Sequence, residues 1–229
     1  MKLKNILLVI CCVLTNWCVS SAQTKISILG DSYSTFKGYV YPSTNACWYG
    51  TEKKGQDQAQ NNVSKLEETW WMLLTKKLDA QIEYNNSYSG ATICHRGYSD
   101  RDFADRSFVT RMYNLGNPDI ILIIGGTNDA WSGAPLGKYQ YENWTNENLY
   151  QFRPAFGYLL SHIKVLYPKA RILNVSNCGL RQEFLQSMDE ICKHYDVPNI
   201  QLEDIDKQGG HPSIKGMQMI CDQIYAHLK

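Results

Sequence analysis

The run Ile120-Ile121-Leu122-Ile123-Ile124, followed at once by Gly125-Gly126-Thr127-Asn128-Asp129, decides how this chain is read. Five consecutive apolar residues, mostly β-branched, leave no polar face. That pattern suits a central strand of a parallel sheet, covered on both sides. The small and polar residues that follow then stand at the strand's carboxyl end. In open parallel sheets, ligands bind in the crevice just beyond those ends.

Working outward, four shorter apolar runs flank this one: Ile26–Leu29, Ile82–Asn85, Ile172–Val175 and Ile200–Leu202. Between them lie stretches with helical spacing. Leu66, Trp70, Leu73, Leu74 and Leu78 form one, with Trp70 on its apolar face. Phe152, Phe156, Leu159, Leu160, Ile163 and Leu166 form another, ending before Pro168. Met217, Ile220, Cys221, Ile224 and Leu228 form the last. Strands alternating with helices predict βαβ units, hence an α/β fold: a three-layer α/β/α sandwich around a five-stranded parallel sheet. Residues 36–64 interrupt the alternation. They carry Tyr39, Tyr41, Trp48 and Tyr49 without a clean period, as a lid, a binding loop or a surface excursion would.

Each run is followed by an informative cluster. After the first comes Gly30-Asp31-Ser32-Tyr33-Ser34; after the second, Asn86-Ser87-Tyr88-Ser89-Gly90-Ala91-Thr92. After the third comes the Gly-Gly-Thr-Asn-Asp segment, and Gly209-Gly210-His211-Pro212 opens the final helix. In this order the segments resemble the sequence blocks of the SGNH (GDSL-like) hydrolase superfamily, across nearly the whole chain after the leader. The resemblance implies a flavodoxin-like SGNH fold and a serine esterase. Ser32 matches the nucleophile, Gly90 the glycine of the second block, Asn128 the asparagine of the third and His211 the base. Asp31 would brace its loop rather than react.

The chemistry explains these residue types. A serine hydroxyl is a poor nucleophile until a neighbouring base takes its proton, and histidine titrates near neutral pH. The tetrahedral intermediate needs preorganised donors for its oxyanion. The resemblance implies the Ser32 and Gly90 N–H groups and the Asn128 side-chain amide. Each residue also has a plainer role open to it: a helix cap for Ser32, a turn for Gly90 or Asn128, a helix-start hydrogen bond for His211. One position departs from the family pattern. The aspartate usual three residues before the histidine is Gln208 here. Either Asp206, five residues before His211, orients the ring, or a Ser–His dyad works with a backbone carbonyl in that place. Asp206 is the first expectation. Of the other histidines, His95 is the one expected to line the site.

The expected reaction is acyl transfer to water, acting on a small-molecule or glycan ester. Trp48, Tyr49, Trp70, Trp71, Trp131 and Trp144 offer flat surfaces for sugar rings, with a core role the stronger alternative for Trp70 and Trp71, and Trp131 with Arg153 are the candidate substrate contacts. A carbohydrate O-acetylesterase is the leading reading. A lipase-like or lysophospholipid esterase is the second, and a non-catalytic glycan-binding protein that keeps the fold is a third. No GxSxG elbow, HExxH pair or phosphate-binding glycine loop occurs, so no metal or cofactor is expected.

The N-terminus reads as a secretory signal peptide over residues 1–22, with a single hydrolase domain over 23–229. Lys2 and Lys4 precede the apolar run Ile6–Leu14, and Ser20-Ser21-Ala22 offers a cleavage site. An uncleaved anchor is the alternative. The chain has 23 basic and 22 acidic residues; without Lys2 and Lys4 these become 21 and 22, a net charge of −1. Nothing in that balance draws nucleic acid or anionic lipid, and no later run is long enough for a membrane span. A secreted or periplasmic address is expected. Five cysteines follow the leader (Cys47, Cys94, Cys178, Cys192 and Cys221), an odd number. Cys47 with Cys94 is the pairing to test first; the other three lie in apolar surroundings.

Overall fold

The doubly apolar run becomes a strand buried on both faces. In the computed structural model, which describes residues 23–52 and 55–229, Ile121, Leu122 and Ile123 are fully buried. The expected leader, residues 1–22, lies outside the described residues. Successive strand side chains point to opposite faces, and the two cores follow from that alternation. Ile121 and Ile123 face Phe108, Phe152, Phe156, Phe184 and Met188. Leu122 and Ile124 face Trp70, Leu74, Met217, Ile220 and Ile224.

In chain order the elements are β1 (Thr24–Gly30), α1 (Gly55–Gln60), α2 (Trp70–Leu78), β2 (Ala80–Ser87), α3 (Phe108–Arg111), β3 (Ile120–Gly125), α4 (Thr127–Ser132), α5 (Phe152–Leu166), β4 (Arg171–Ser176), α6 (Gln182–His194), β5 (Asn199–Gln201), β6 (Lys207–Gln208), β7 (His211–Pro212) and α7 (Ile214–Leu228). The five main strands pair in parallel in the order β2-β1-β3-β4-β5. Helices α3, α5 and α6 cover one face, α2 and α7 the other. This is the three-layer α/β/α sandwich expected from the alternation.

All five predicted strands form, as do the three predicted helices, the first after a short 3-10 turn at Leu66–Glu68. Helix α6 is additional: Phe184, Met188 and Ile191 face the core and the rest of its surface is largely polar. Its polar face outweighs the apolar one, so mean hydropathy signals it weakly although Phe184, Leu185, Met188, Ile191 and Cys192 recur at helical spacing.

The cysteine expectation is corrected. Cys47 and Cys94 are both free thiols, as are the other three. Cys94 is buried in the core with its Sγ directed at the Arg96 carbonyl, 3.4 Å away, whereas Cys47 sits in the insertion with its Sγ 3.5 Å from the Asn45 carbonyl.

The topology sets the location of any site. Beyond β1 the chain turns to one side of the sheet for β2 and to the other for β3. The β1/β3 border is therefore the topological switch point where a crevice opens. Gly30 and Gly125 end those two strands, so residues 31–34 and 126–129 share one rim.

Leu122→Ala removes a fully buried side chain from the central strand and is expected to cost about 2–5 kcal/mol. In urea the midpoint should fall with the slope unchanged. Val165→Ala, at a position 78% exposed, should move stability by less than about 0.5 kcal/mol.

Candidate active site

Each functional side chain is placed by an element end. Asp31 continues the β1/β3 ladder by donating its N–H to the Ile124 carbonyl at 3.3 Å, and its carboxylate accepts from Tyr33 N at 3.0 Å. That cap starts a tight 3-10 turn, Ser32–Ser34, and sets Ser32 on the rim. Beyond β2, Gly90 adopts φ +82°, a conformation glycine takes without strain. Beyond β3, Asn128 lies in the first turn of α4.

His211 arrives from the opposite end of the sequence on a small hairpin. Strands β6 and β7 pair antiparallel, with Gln208 opposite His211. The turn between them is Gly209-Gly210, with φ +58° and +74°. A two-residue hairpin loop needs positive φ at both positions, which two glycines supply. Helix α7 starts directly afterwards, capped by Ser213, whose hydroxyl accepts from Gly216 N at 3.1 Å.

These placements bring Ser32 Oγ within 2.8 Å of His211 Nε2. The other ring nitrogen, Nδ1, lies 3.3 Å from the Gly209 carbonyl. With its proton on Nδ1, the ring donates to that carbonyl and leaves the Nε2 lone pair to accept the Ser32 hydroxyl. Both residues are 7% exposed. Burial pushes the His211 pKa down to about 4; the Gly209 bond and Asp57 oppose the fall, and Lys207 adds to it. The imidazole is thus a neutral base across the ordinary pH range.

Asp206 does not reach that ring. Its carboxylate accepts from the Ser213 hydroxyl, and its carbonyl accepts from Ser213 N at 3.1 Å. The hairpin register is the reason. With Gln208 opposite His211 and Lys207 opposite Pro212, Asp206 falls opposite Ser213, at the base rather than the tip. The contact expected between Asp206 and the His211 ring is therefore not made, and the Gly209 carbonyl stands behind the ring instead.

The second and third blocks meet each other. Asn128 Nδ2 donates to the Ala91 carbonyl at 2.9 Å, tying its amide to the segment just past Gly90. Its Oδ1 accepts from the Tyr98 hydroxyl at 2.7 Å, so the amide is oriented from both ends. An NH₂ group carries two donor hydrogens, which leaves one free. Among the described residues, the Ser32 and Gly90 N–H groups have no protein acceptor.

A buried charged layer lies beneath. Asp129 accepts from Ile93 N at 2.7 Å and Cys94 N at 3.0 Å, locking the segment after Gly90 to α4. Arg111 donates to the Gly30 carbonyl at 3.1 Å and also to the Asn86 carbonyl, clamping the ends of β1 and β2. Burial raises the Asp31 pKa to about 7 against the opposing bond from Tyr33 N and the pull of Arg111, and raises Asp129 to about 6. Asn177, just past β4, donates to Tyr33 Oη at 3.2 Å and to Thr127 Oγ1 at 3.3 Å, joining the loops after β1 and β3.

Two expected neighbours serve other ends. Arg153 donates to Ser187 Oγ at 2.8 Å and to the Gly137 carbonyl at 3.1 Å, and its guanidinium lies over the Tyr139 ring. These contacts tie the loop before α5 to α6, which corrects its reading as a substrate contact. His95 is 6% exposed with its ring edge-on to Tyr150, so it is a packed residue rather than a wall of the site. Trp131, by contrast, is 51% exposed, three residues past Asn128. The residues sequence reasoning passed over are Tyr98, Arg111, Asn177 and the imidazole contact of Trp48, whose ring stacks on His211. Only Asn177 carried a signal, as a polar residue directly after a strand.

A parallel α/β sandwich carries a buried Ser32–His211 pair at its switch point. Residues 24–228 match the model of the GDSL-like lipase/acylhydrolase family. The chain belongs to that family, within the SGNH hydrolase superfamily, and is an ester hydrolase. It is 57% identical to a GDSL-like lipase from Bacteroides uniformis, covering 90% of this chain and 95% of that one with a TM-score of 0.87. A GDSL-like lipase from Bacteroides ovatus is 50% identical over 91% and 99% of the two chains, TM-score 0.86. A family two carbohydrate esterase from Clostridium thermocellum, solved with cellohexaose, shares the fold at 18% identity over 90% and 63%, TM-score 0.61. No curated protein matches the chain.

Two predictions follow from this geometry. The base must be neutral to work, so activity is lost as pH falls through the folded-state pKa. For a soluble ester, kcat/KM should persist well below 6.5 and fall through about pH 4; Asp206→Asn should leave that limb in place in a stopped-flow pH profile. Asn128→Ala is expected to lower kcat by about 10²–10³. Tyr98→Phe should lower it about 10-fold with KM unchanged, and should add little in the Asn128→Ala background.

Proposed function

We propose that this protein is a secreted or periplasmic serine esterase that removes short acyl groups, acetyl foremost, from carbohydrate. The observation that carries the reading is the 2.8 Å contact between Ser32 Oγ and His211 Nε2. In the first half-reaction Oγ forms a bond to the acyl carbon as Nε2 takes its proton. The carbonyl π pair moves onto oxygen, facing the Ser32 and Gly90 N–H groups and the spare Asn128 hydrogen. The imidazolium then returns its proton to the departing sugar oxygen, leaving an acyl-serine. Water repeats the sequence in the second half, with the imidazole again as base.

Carbohydrate as the alcohol part rests on exposed aromatic rings, Trp131 beside Asn128 foremost. Trp131 follows Asn128 on α4, and Tyr39 and Tyr41 stand half-exposed on the insertion. Flat rings of this kind stack on the apolar faces of sugars. A short acyl group suits a rim on which Ser32 and His211 are each only 7% exposed. Export is supported by the basic start and apolar run of residues 2–14.

Acetate release from a panel of acetylated glycans, wild type against Ser32→Ala, tests the reading. Release by wild type with loss of at least about 10³-fold in the variant is expected. A nitrophenyl series should fall from acetate to octanoate; faster cleavage of octanoate would favour a lipase-like enzyme. Failure of a fluorophosphonate probe to label Ser32 would point to a glycan-binding protein.

A further inference from the structure

The indole of Trp48 lies flat on the imidazole of His211, ring centroids 3.5 Å apart and planes 6° apart. We propose that Trp48 is the positioning residue of the dyad. It takes over both tasks that a carboxylate performs behind the histidine of a triad: fixing the ring and stabilising the imidazolium. The proposal rests on the esterase reading above.

Orientation comes first. The Gly209 carbonyl is a distant partner at 3.3 Å and constrains the ring only along one direction. Stacking constrains the remaining one, because rotation of the imidazole out of its plane drives an edge into the indole. Tyr33 and Tyr49 close the other sides edge-on, at 5.3 Å and 6.3 Å between centroids.

Trp48 is itself tied to the nucleophile's own turn. Its N–H donates to Thr35 Oγ1 at 2.8 Å, and that hydroxyl donates to the Ser32 carbonyl at 3.0 Å. Its carbonyl accepts from Gln58 Nε2 at 3.0 Å and Thr51 Oγ1 at 3.1 Å. Base and nucleophile therefore share one frame, reached through the insertion. The same insertion grips the hairpin: Asn61 Nδ2 donates to the Gln208 carbonyl at 3.1 Å and to the Pro212 carbonyl at 3.1 Å, and Tyr49 Oη donates to Pro212 at 2.9 Å.

Charge stabilisation is the second task. The charged groups facing His211 are Asp57 on α1 and Lys207 on β6, of opposite sign, with the phenols of Tyr33 and Tyr49 neutral at working pH. Among the described residues no carboxylate bonds the ring, so the π face of Trp48 meets the positive charge that forms when Nε2 takes the serine proton. A desolvated cation–π contact of this kind corresponds to roughly 3- to 30-fold in rate.

Trp48→Leu keeps apolar cover and removes the π face; Trp48→Phe keeps a smaller ring. For Leu, kcat should fall about 10- to 30-fold with KM within about two-fold, and the acid limb of kcat/KM should move to lower pH as the imidazolium loses its partner. For Phe the fall should be about 3-fold; if Leu does not fold by circular dichroism, Phe carries the kinetic arm. Protonated imidazole quenches an indole in contact, so wild-type fluorescence should drop on acidification with the midpoint of the kinetic limb. That step should vanish in both Trp48→Phe and His211→Gln. A Leu variant with wild-type kcat and an unmoved limb, or a quench that survives in His211→Gln, overturns the proposal. The fluorescence arm needs no turnover, so the outcomes separate. A quench without fluorophosphonate labelling removes the esterase reading and leaves the contact. Labelling without a quench removes Trp48 alone.

Discussion

The contact between Ser32 and His211 joins residues 179 positions apart, and most of the rim's construction serves to hold its two ends. The serine end is set by the sheet: Asp31 continues the β1/β3 ladder, and its cap on Tyr33 N fixes the turn. The histidine end belongs to no main strand. It rides on a glycine-turned hairpin whose own two-residue pairing is far too short for independent stability. Rigidity must be supplied from outside, and the insertion supplies it through Asn61, Tyr49 and Trp48. A segment that reads as an excursion in the sequence is therefore a brace.

Beneath the pair, two carboxylates and a guanidinium are buried together. Taking such groups out of water costs several kcal/mol each unless hydrogen bonds replace the lost solvent. Asp129 recovers part of that through two backbone N–H donors, and Arg111 through the Gly30 and Asn86 carbonyls. The Arg111 bonds land at the ends of β1 and β2, and the Asp129 bonds on the loop segment after Gly90. The layer fixes the loops that carry Ser32, Gly90 and Asn128, so the rim is preorganised by groups that never meet substrate. The raised pKa values of Asp31 and Asp129 report the desolvation this arrangement accepts.

The fold and the placement of the candidate site were legible in the sequence for one shared reason. A doubly buried strand leaves a continuous apolar run, and the site follows directly where such a run stops. Ser32 and Asn128 are of that kind, whereas Gly90 follows the mixed edge strand β2. Asp206 was misread because its position depends on hairpin register: two turn glycines put it opposite Ser213, a fact of pairing rather than of distance along the chain. Arg153 was misread because an arginine near a pocket segment looks the same whether it faces ligand or ties two helices. Tyr98 left no trace, since its hydroxyl acts across 30 residues on an amide, with no periodicity to mark it. Helix α6 escaped because its polar face lowers the mean hydropathy that apolar runs depend on, even though its apolar residues keep helical spacing.

The departure at Gln208 gains a physical account from the same register. A residue opposite His211 on a two-stranded hairpin can reach outward, and Gln208 does so: its Oε1 accepts from Asn62 N at 3.0 Å, and Asn62 Oδ1 accepts from Ile214 N at 2.9 Å. A carboxylate at 208 would sit in the same outward place, bonded to the insertion rather than to the imidazole. With this hairpin, restoring an acid at that position would not restore a triad. Apart from Ser32 and the Gly209 carbonyl at its two nitrogens, the ring is bordered by aromatic side chains. The tight glycine turn at 209–210 thus sets residue 208 opposite His211, and the ring's face is covered by Trp48.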